Sequence, residues 1–330
     1  MKLPKIYKNN DADISLIKKK RVGIIGFGNQ GKAQAFNLKD SGIDVIIGLR
    51  ANSLTKPAAI DAGFICMDIE EMVRSCNFIS ILIPDQEIEM VFLNSVIPYL
   101  EKNDTILFSH GYNVFYKLVK YPEYVNIILS APSAPGTELR KSYLQRGGVP
   151  GLVAVDADYS GNSFQLVLSY SKAIGLTRSG VFKTSFKEET ETDLFGEQVV
   201  LVGGIPKLIE SAYNILTEFG YSPVTSWLVC YYELRTIVDM FHAKGFEYMG
   251  KAISDTAEYG GLTRGERLIN DGVRDEMRGI LTEIQNQTFF NEWNLESRNK
   301  LPLLNKLRNK ESSSKIEEVG KQLLLELFKE

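Results

Sequence analysis

The chain has 330 residues, 44% of them hydrophobic and 24% charged, and its 38 Lys and Arg against 41 Asp and Glu leave a net charge of −3. That composition is ordinary for a globular protein, with length enough for two domains and a sizeable core. Near-neutral charge argues against nucleic acid as the main partner, and the one basic run, KKKR at 18–21, reads as a solvated segment. The three cysteines, Cys66, Cys76 and Cys230, form no CxxC or Cys/His cluster. A disulfide framework or zinc site is therefore not expected, and they read as reduced, buried thiols. The N-terminal stretch lacks an apolar signal region, and no apolar run looks long enough to cross a bilayer, so a cytoplasmic protein without membrane contact is expected.

From residue 21 to about 155, short apolar runs alternate with amphipathic stretches. VGIIG (22–26), DVIIGL (44–49), FISILIP (78–84), TILFSH (105–110), NIILSAP (126–132) and GLVAVD (151–156) read as strands. They are continuously apolar, as strands buried on both faces should be. Segments 30–41, 53–62, 85–100 and 112–120 fit between them as helices. Such alternation predicts a parallel, doubly wound α/β sheet of Rossmann type. Beyond about residue 187 long helical patterns take over, at 190–219, 223–244, 246–259, 272–290 and 314–328. One helix should end at Gly220 and the next start with Ser222 and Pro223. The expected domains are 1–186, binding a nucleotide, and 187–330, all-helical.

GFGNQG, residues 26–31, matches GxGxxG where a strand gives way to a helix. In that context Gly26 permits the tight turn, Gly28 lets a pyrophosphate approach the backbone, and Gly31 allows close helix–strand packing. The helix N-terminus then offers N–H groups to phosphates. NAD binding usually calls for a carboxylate near the end of the second strand. Here that strand runs into IIGLRANSLTK, with no acid. Arg50 can face a 2′-phosphate, with Ser53 and Thr55 as hydrogen-bond donors, so NADPH is the expected cofactor.

Asp193 and Glu197 stand four apart, on one face of a helix that continues LFGEQVVLVGGI, apolar nearly all round. This predicts burial, and buried carboxylates need a cation. Oxygen ligands without a nearby His or Cys favour Mg²⁺. Glu188, Glu189 and Glu191 read as acids complementing a helix N-terminus. Glu233 lies mid-helix with Val229, Cys230 and Ile237 on its face, as either a snorkelling side chain or a further metal ligand.

These stretches together resemble the ketol-acid reductoisomerase (acetohydroxyacid isomeroreductase) family, short-chain class, over nearly the whole chain. The likeness is carried by GFGNQGKAQAFNLKDSGIDVIIGLR, LIPD, SHGYNV, GVPGLVAV, SKAIGLTRSGVFKTSFKEETETDLFGEQ, YELRTIVDM and ISDTAEYG. The resemblance implies hydride transfer from NADPH after a Mg²⁺-promoted alkyl shift in an acetohydroxy acid. By the same resemblance, Asp193 bridges two ions, Glu197 binds one, and Glu233 serves the second from a partner subunit. Ser254 holds the substrate carboxylate, His110 is the site's histidine, and Gln30 and Gly136 join the cofactor-binding set. A knotted, intertwined helical domain and a homodimer or higher homo-oligomer are implied as well.

Two positions depart from the family pattern. APSAPG stands where the family has APKGPG, so Ser133 replaces a lysine, and Val229 replaces a glutamate four residues before Glu233. Serine supplies no positive charge, and valine cannot hold Mg²⁺. Three functions remain open: reduction of a 2-oxo acid or related C=O or C=N group with isomerisation weakened, complete reductoisomerase activity, or non-catalytic NADPH binding.

Overall fold

The structure, a computed structural model, describes residues 3–328. The chain divides into two compact units, Met1–Thr190 and Glu191–Glu330, about one helical turn later than the expected boundary.

The first unit is built on nine strands: β1 (Ile6–Tyr7), β2 (Val22–Ile25), β3 (Val45–Gly48), β4 (Ile65–Met67), β5 (Phe78–Ile81), β6 (Thr105–Phe108), β7 (Asn126–Pro132), β8 (Gly151–Asp158) and β9 (Val181–Lys183). Their spatial order is β1-β9-β8-β7-β6-β5-β2-β3-β4. β2 through β7 run parallel, and the chain reverses direction across the sheet between β2 and β5. That is the doubly wound dinucleotide-binding order, whose ligands sit beyond the carboxyl ends at the reversal point. β2, β3, β5 and β6 are buried at every position, as their mainly Val, Ile, Leu and Phe sequences require.

One strand differs from expectation. β8 runs antiparallel to β7, with Pro132 opposite Gly151, and β1 pairs antiparallel with β9. The intervening helix Gly136–Leu144 packs beside Asn29–Asp40, and the chain re-enters the sheet at the end it left. The helix expected over 112–120 stops at Phe115, since Lys117 takes a left-handed φ of 58°. Of the thiols, only Cys76 is buried, and burial pushes it up to about 11; Cys66 and Cys230 are half-buried, contrary to expectation.

The described part of the second unit is helical throughout. Gly220 (φ +87°) follows the helix Gly204–Glu218, and Ser222 precedes Pro223–Trp227, as the sequence predicts. Two expected long helices are each interrupted by a π turn, at Glu197–Leu201 and at Leu228–Tyr232. The C-terminal helix Lys315–Leu327 packs on Trp227, which is 1% exposed.

The expected burial of the acidic helix is corrected. Asp193 and Glu197 are exposed, as are Val200, Leu201 and Val202 at 45%, 63% and 70%. Among the described residues, these three side chains do not belong to a buried core. The reading that no apolar segment could cross a bilayer is corrected too: the joined helix Phe186–Glu218 is long and apolar enough by length and composition. It carries Asp193 and Glu197 within that length.

Candidate functional site

β2 ends at Gly26, whose φ of +102° turns the chain out of the sheet. A Cβ there would lie 2.7 Å from the Leu82 carbonyl oxygen, so only glycine fits. A Cβ at Gly31 would lie 2.4 Å from the Gly26 oxygen, which shows how tightly the helix Asn29–Asp40 closes on the turn. Gly28 is different: nothing stands within 4 Å of its missing side chain. It lines two cavities beyond the strand ends, of about 330 and 220 Å³. A turn held by glycine and open on its outer side fits a pyrophosphate at the helix N-terminus.

Gln30 donates from Nε2 to the Ala134 oxygen (2.9 Å) and accepts from Gln34 (3.1 Å), tying the turn to the segment after β7. Gly136 serves the same closure. A Cβ there would meet the Asn29 oxygen at 2.2 Å, and Thr137 N–H donates to Asn29 Oδ1 at 3.0 Å. It braces the turn from behind and lines neither cavity.

The smaller cavity holds Arg50, Ser53 and Thr55 together with Gly26 and Gly28, uniting the residues expected to select NADPH. The Ser53 and Thr55 hydroxyls are 3.1 Å apart. Arg50 is already paired: its Nη2 lies 3.0 Å from Oε2 of Glu87, a residue that composition and spacing gave no reason to single out.

The larger cavity is lined by Gly28, Gln30, Asp85, Ser109 and His110. His110 follows β6 and is 21% exposed; its Nδ1 lies 3.1 Å from Oε1 of Glu189, itself 3% exposed. Oε2 of Glu189 accepts from Gly111 N–H at 2.7 Å. A Cβ at Gly111 would fall 2.5 Å from Thr190 Oγ1 and 2.8 Å from Glu189, so glycine lets the carboxylate in. Glu189 stands in the first turn of its helix, as its sequence position implies, and is in addition a buried clamp on the histidine. Its only sequence signal is its place one turn before Asp193.

Asp85 opens the helix Asp85–Val91 beside the same cavity. Burial holds its carboxyl above the usual range, against the opposing pull of His110 and a hydrogen bond from Asn113 Nδ2 (3.3 Å).

Asp193 lies on the helix Phe186–Gly196 and Glu197 begins the π turn that follows. Val229 sits inside the other π turn of this unit, and Glu233 directly follows it, exposed. π turns are rare and frequent at functional sites, where they re-aim side chains. Asp193 and Glu197 offer the oxygen donors that Mg²⁺ takes. Among the described residues neither Glu197 nor Glu233 falls into a group of close ligand atoms with Asp193. Glu233 keeps helical dihedrals where the π turn gives way to Leu234–Lys244, so it lies within a helical run as expected. Ser254 caps the helix Asp255–Leu268, accepting from Ala257 N–H at 3.3 Å, which leaves its own hydroxyl hydrogen to donate. Ser133 is exposed just past the carboxyl end of β7, its N–H donating to the Pro150 oxygen at 2.9 Å.

Residues 16–180 match the family described as acetohydroxy acid isomeroreductase, NADPH-binding domain, and residues 186–327 match ketol-acid reductoisomerase, C-terminal domain. The ketol-acid reductoisomerase (NADP(+)) of Methanocaldococcus jannaschii is 48% identical over 97% of both chains, and that of Methanothermobacter thermautotrophicus is 47% identical over the same shares. A solved NADH-preferring ketol-acid reductoisomerase from an uncultured archaeon is 37% identical, with a TM-score of 0.95 across 97% of this chain and 98% of that one. A semialdehyde dehydrogenase NAD-binding protein from Cupriavidus necator, 15% identical with a TM-score of 0.61 over 81% of this chain and 99% of its own, shares the fold alone. With both halves matched, relatives aligned end to end and the glycine turn built as a dinucleotide site requires, the chain belongs to the ketol-acid reductoisomerase family.

Proposed function

We propose that this family member is an NADPH- and Mg²⁺-dependent oxidoreductase that reduces a 2-oxo acid or a related C=O or C=N group, with the alkyl shift weakened. The observation that carries the reading is an uneven retention. The glycine turn, Arg50, His110, Asp193 and Glu197 are all present, while Ser133 and Val229 stand where the family has lysine and glutamate. The two losses fall on proton movement and on the second ion; hydride transfer needs neither position.

In this reading the cavity lined by Gly28, Gln30 and His110 receives the nicotinamide end of the cofactor and the substrate carbonyl. When bound, NADPH would supply a hydride to the carbonyl carbon, and His110 would give the proton that the carbonyl oxygen takes up. Glu189 holds His110 in one orientation for that proton transfer. Asp193 and Glu197 would hold Mg²⁺, which supplies Lewis-acid polarisation of substrate oxygens when bound. Ser254 donates to the substrate carboxylate. The exposed apolar face around Val200–Val202 supports a homodimer or higher assembly, in which Glu233 would complete a partner's site.

A second reading, the complete conversion of 2-acetolactate in branched-chain amino-acid synthesis, is favoured by the 48% and 47% identity to reductoisomerases along the full chain. NADPH consumption separates the two. With 3-hydroxy-3-methyl-2-oxobutanoate and Mg²⁺ the proposed enzyme turns over, and with 2-acetolactate it is slower by at least about a hundredfold, the scale of losing one electrostatic contact to the transition state. Equal rates on both establish the second reading, and no consumption with either leaves a non-catalytic NADPH-binding protein.

A further inference from the structure

The cavity that carries Arg50 is electrically balanced in a way its sequence does not announce. Arg50 is the only cation and Glu87 the only anion among its lining residues, and they face each other at 3.0 Å. Glu87 does not come from the strand end that normally supplies the ribose-binding acid. It stands in the first turn of the helix after β5, one strand away, and reaches the same cavity because β2 and β5 are neighbours in the sheet. Resting on the reading of this cavity as the adenosine end of a dinucleotide site, we propose that Glu87 is a cofactor-selectivity residue that lets this chain accept NADH as well as NADPH.

A 2′-phosphate carries close to two negative charges at neutral pH, as phosphate monoesters do (about −1.5 to −2). To seat it, Arg50 must divide its guanidinium between Glu87 and the phosphate, and the carboxylate beside it repels the phosphate. NADH asks for the opposite arrangement. Its ribose 2′-hydroxyl donates to a carboxylate, and Glu87 is the one carboxylate lining the cavity, while Arg50 stays paired beside it. One residue therefore weakens the phosphate-bearing cofactor and supports the other. The side chains of Arg50 and Glu87 are 64% and 37% exposed, so solvent and salt moderate both effects. The consequence is a several-fold change in preference, not an absolute switch.

Equilibrium titration of the full-length protein with NADPH and with NADH, followed by nucleotide fluorescence, tests this without turnover. Wild type should bind both, with dissociation constants within about tenfold of each other at low salt. Glu87→Gln should tighten NADPH by about fivefold and loosen NADH by a smaller factor, reversing the trend that Arg50→Gln produces by weakening NADPH alone. Unchanged thermal midpoints would show that both variants keep the fold. A Glu87→Gln protein with the same NADPH-to-NADH ratio as wild type overturns the proposal while leaving the nucleotide site in place. Binding of NADPH with none of NADH overturns it as well. Failure of wild type to bind either nucleotide removes the site reading and the proposal together.

Discussion

At Asp85 burial and charge act in opposite senses. Its carboxyl is raised chiefly by burial, with His110 pulling it down and Glu189 adding to the rise. The folded chain therefore holds this proton to higher pH than the unfolded chain, whose aspartates titrate near about 3.9. Stability contributed by the protonated form is full below that value and is lost as pH climbs from it through the raised folded value. Asp85→Asn keeps the shape and the acceptor for Asn113 but cannot ionise. Its melting temperature should exceed wild type at pH 7 and converge on it toward pH 3. A constant separation across that range would mean that ionisation is not the cause. Asp193 poses the complementary case, since it sits exposed with a second carboxylate one turn away and needs its charge. Asp193→Asn should lower Mg²⁺-dependent NADPH oxidation by at least about a hundredfold, read as rate against Mg²⁺ concentration, while nucleotide titration is unaltered.

Between elements, glycine marks the places where backbone meets backbone or ring. In the first unit the Gly26–Gly31 approach brings the helix Asn29–Asp40 onto β2, and a methyl at Gly31 would lie 2.4 Å from a carbonyl that cannot swing aside. Gly31→Ala should cost about 1–3 kcal/mol in denaturant unfolding and weaken both dinucleotides, since the turn and the helix end must part. In the second unit a Cβ at Gly320 would lie 2.7 Å from Nε1 of the buried Trp227. Gly320→Ala should destabilise by a similar amount, about 1–3 kcal/mol, and shift tryptophan emission to the red as the indole becomes wetter. Nucleotide affinity should be untouched, because the contact lies wholly within the helical unit. The π turns at Glu197–Leu201 and Leu228–Tyr232 belong to this scale as well. Each interrupts a helix and leaves a carboxylate at its edge, Glu197 in one and Glu233 in the other.

For the molecule as a whole, the division after Thr190 separates a nucleotide-binding unit with a deep sheet core from a helical unit that leaves much of its apolar surface exposed. Ser133→Lys with Val229→Glu should raise 2-acetolactate turnover by at least about tenfold over wild type, with less gain from either change alone. No gain from the pair would mean that these two positions do not limit isomerisation.

Much of the first unit was legible because parallel strands buried on both faces must be apolar without interruption, and 22–26, 44–49, 78–84 and 105–110 are. The glycine turn was legible for a related reason: Gly26 and Gly31 answer local backbone demands, and Gly28 leaves the outer side of the turn open. β4, with only three residues, and the helix Ser163–Ala173, buried on most sides, lacked a periodic signature and escaped notice. The direction of β8 escaped as well, since composition says that a strand is buried and not which way it runs. By itself the sequence determined the doubly wound sheet, the nucleotide loop and the helical second half, because these rest on local spacing and on the solvation of each side chain. Only the tertiary structure decided that Glu189 grips His110 and that Glu87 meets Arg50. It also decided that Asp193 and Glu197 stay exposed within their own chain. Those facts depend on which distant segments come together, and the free energy of such contacts is written in no single stretch of residues.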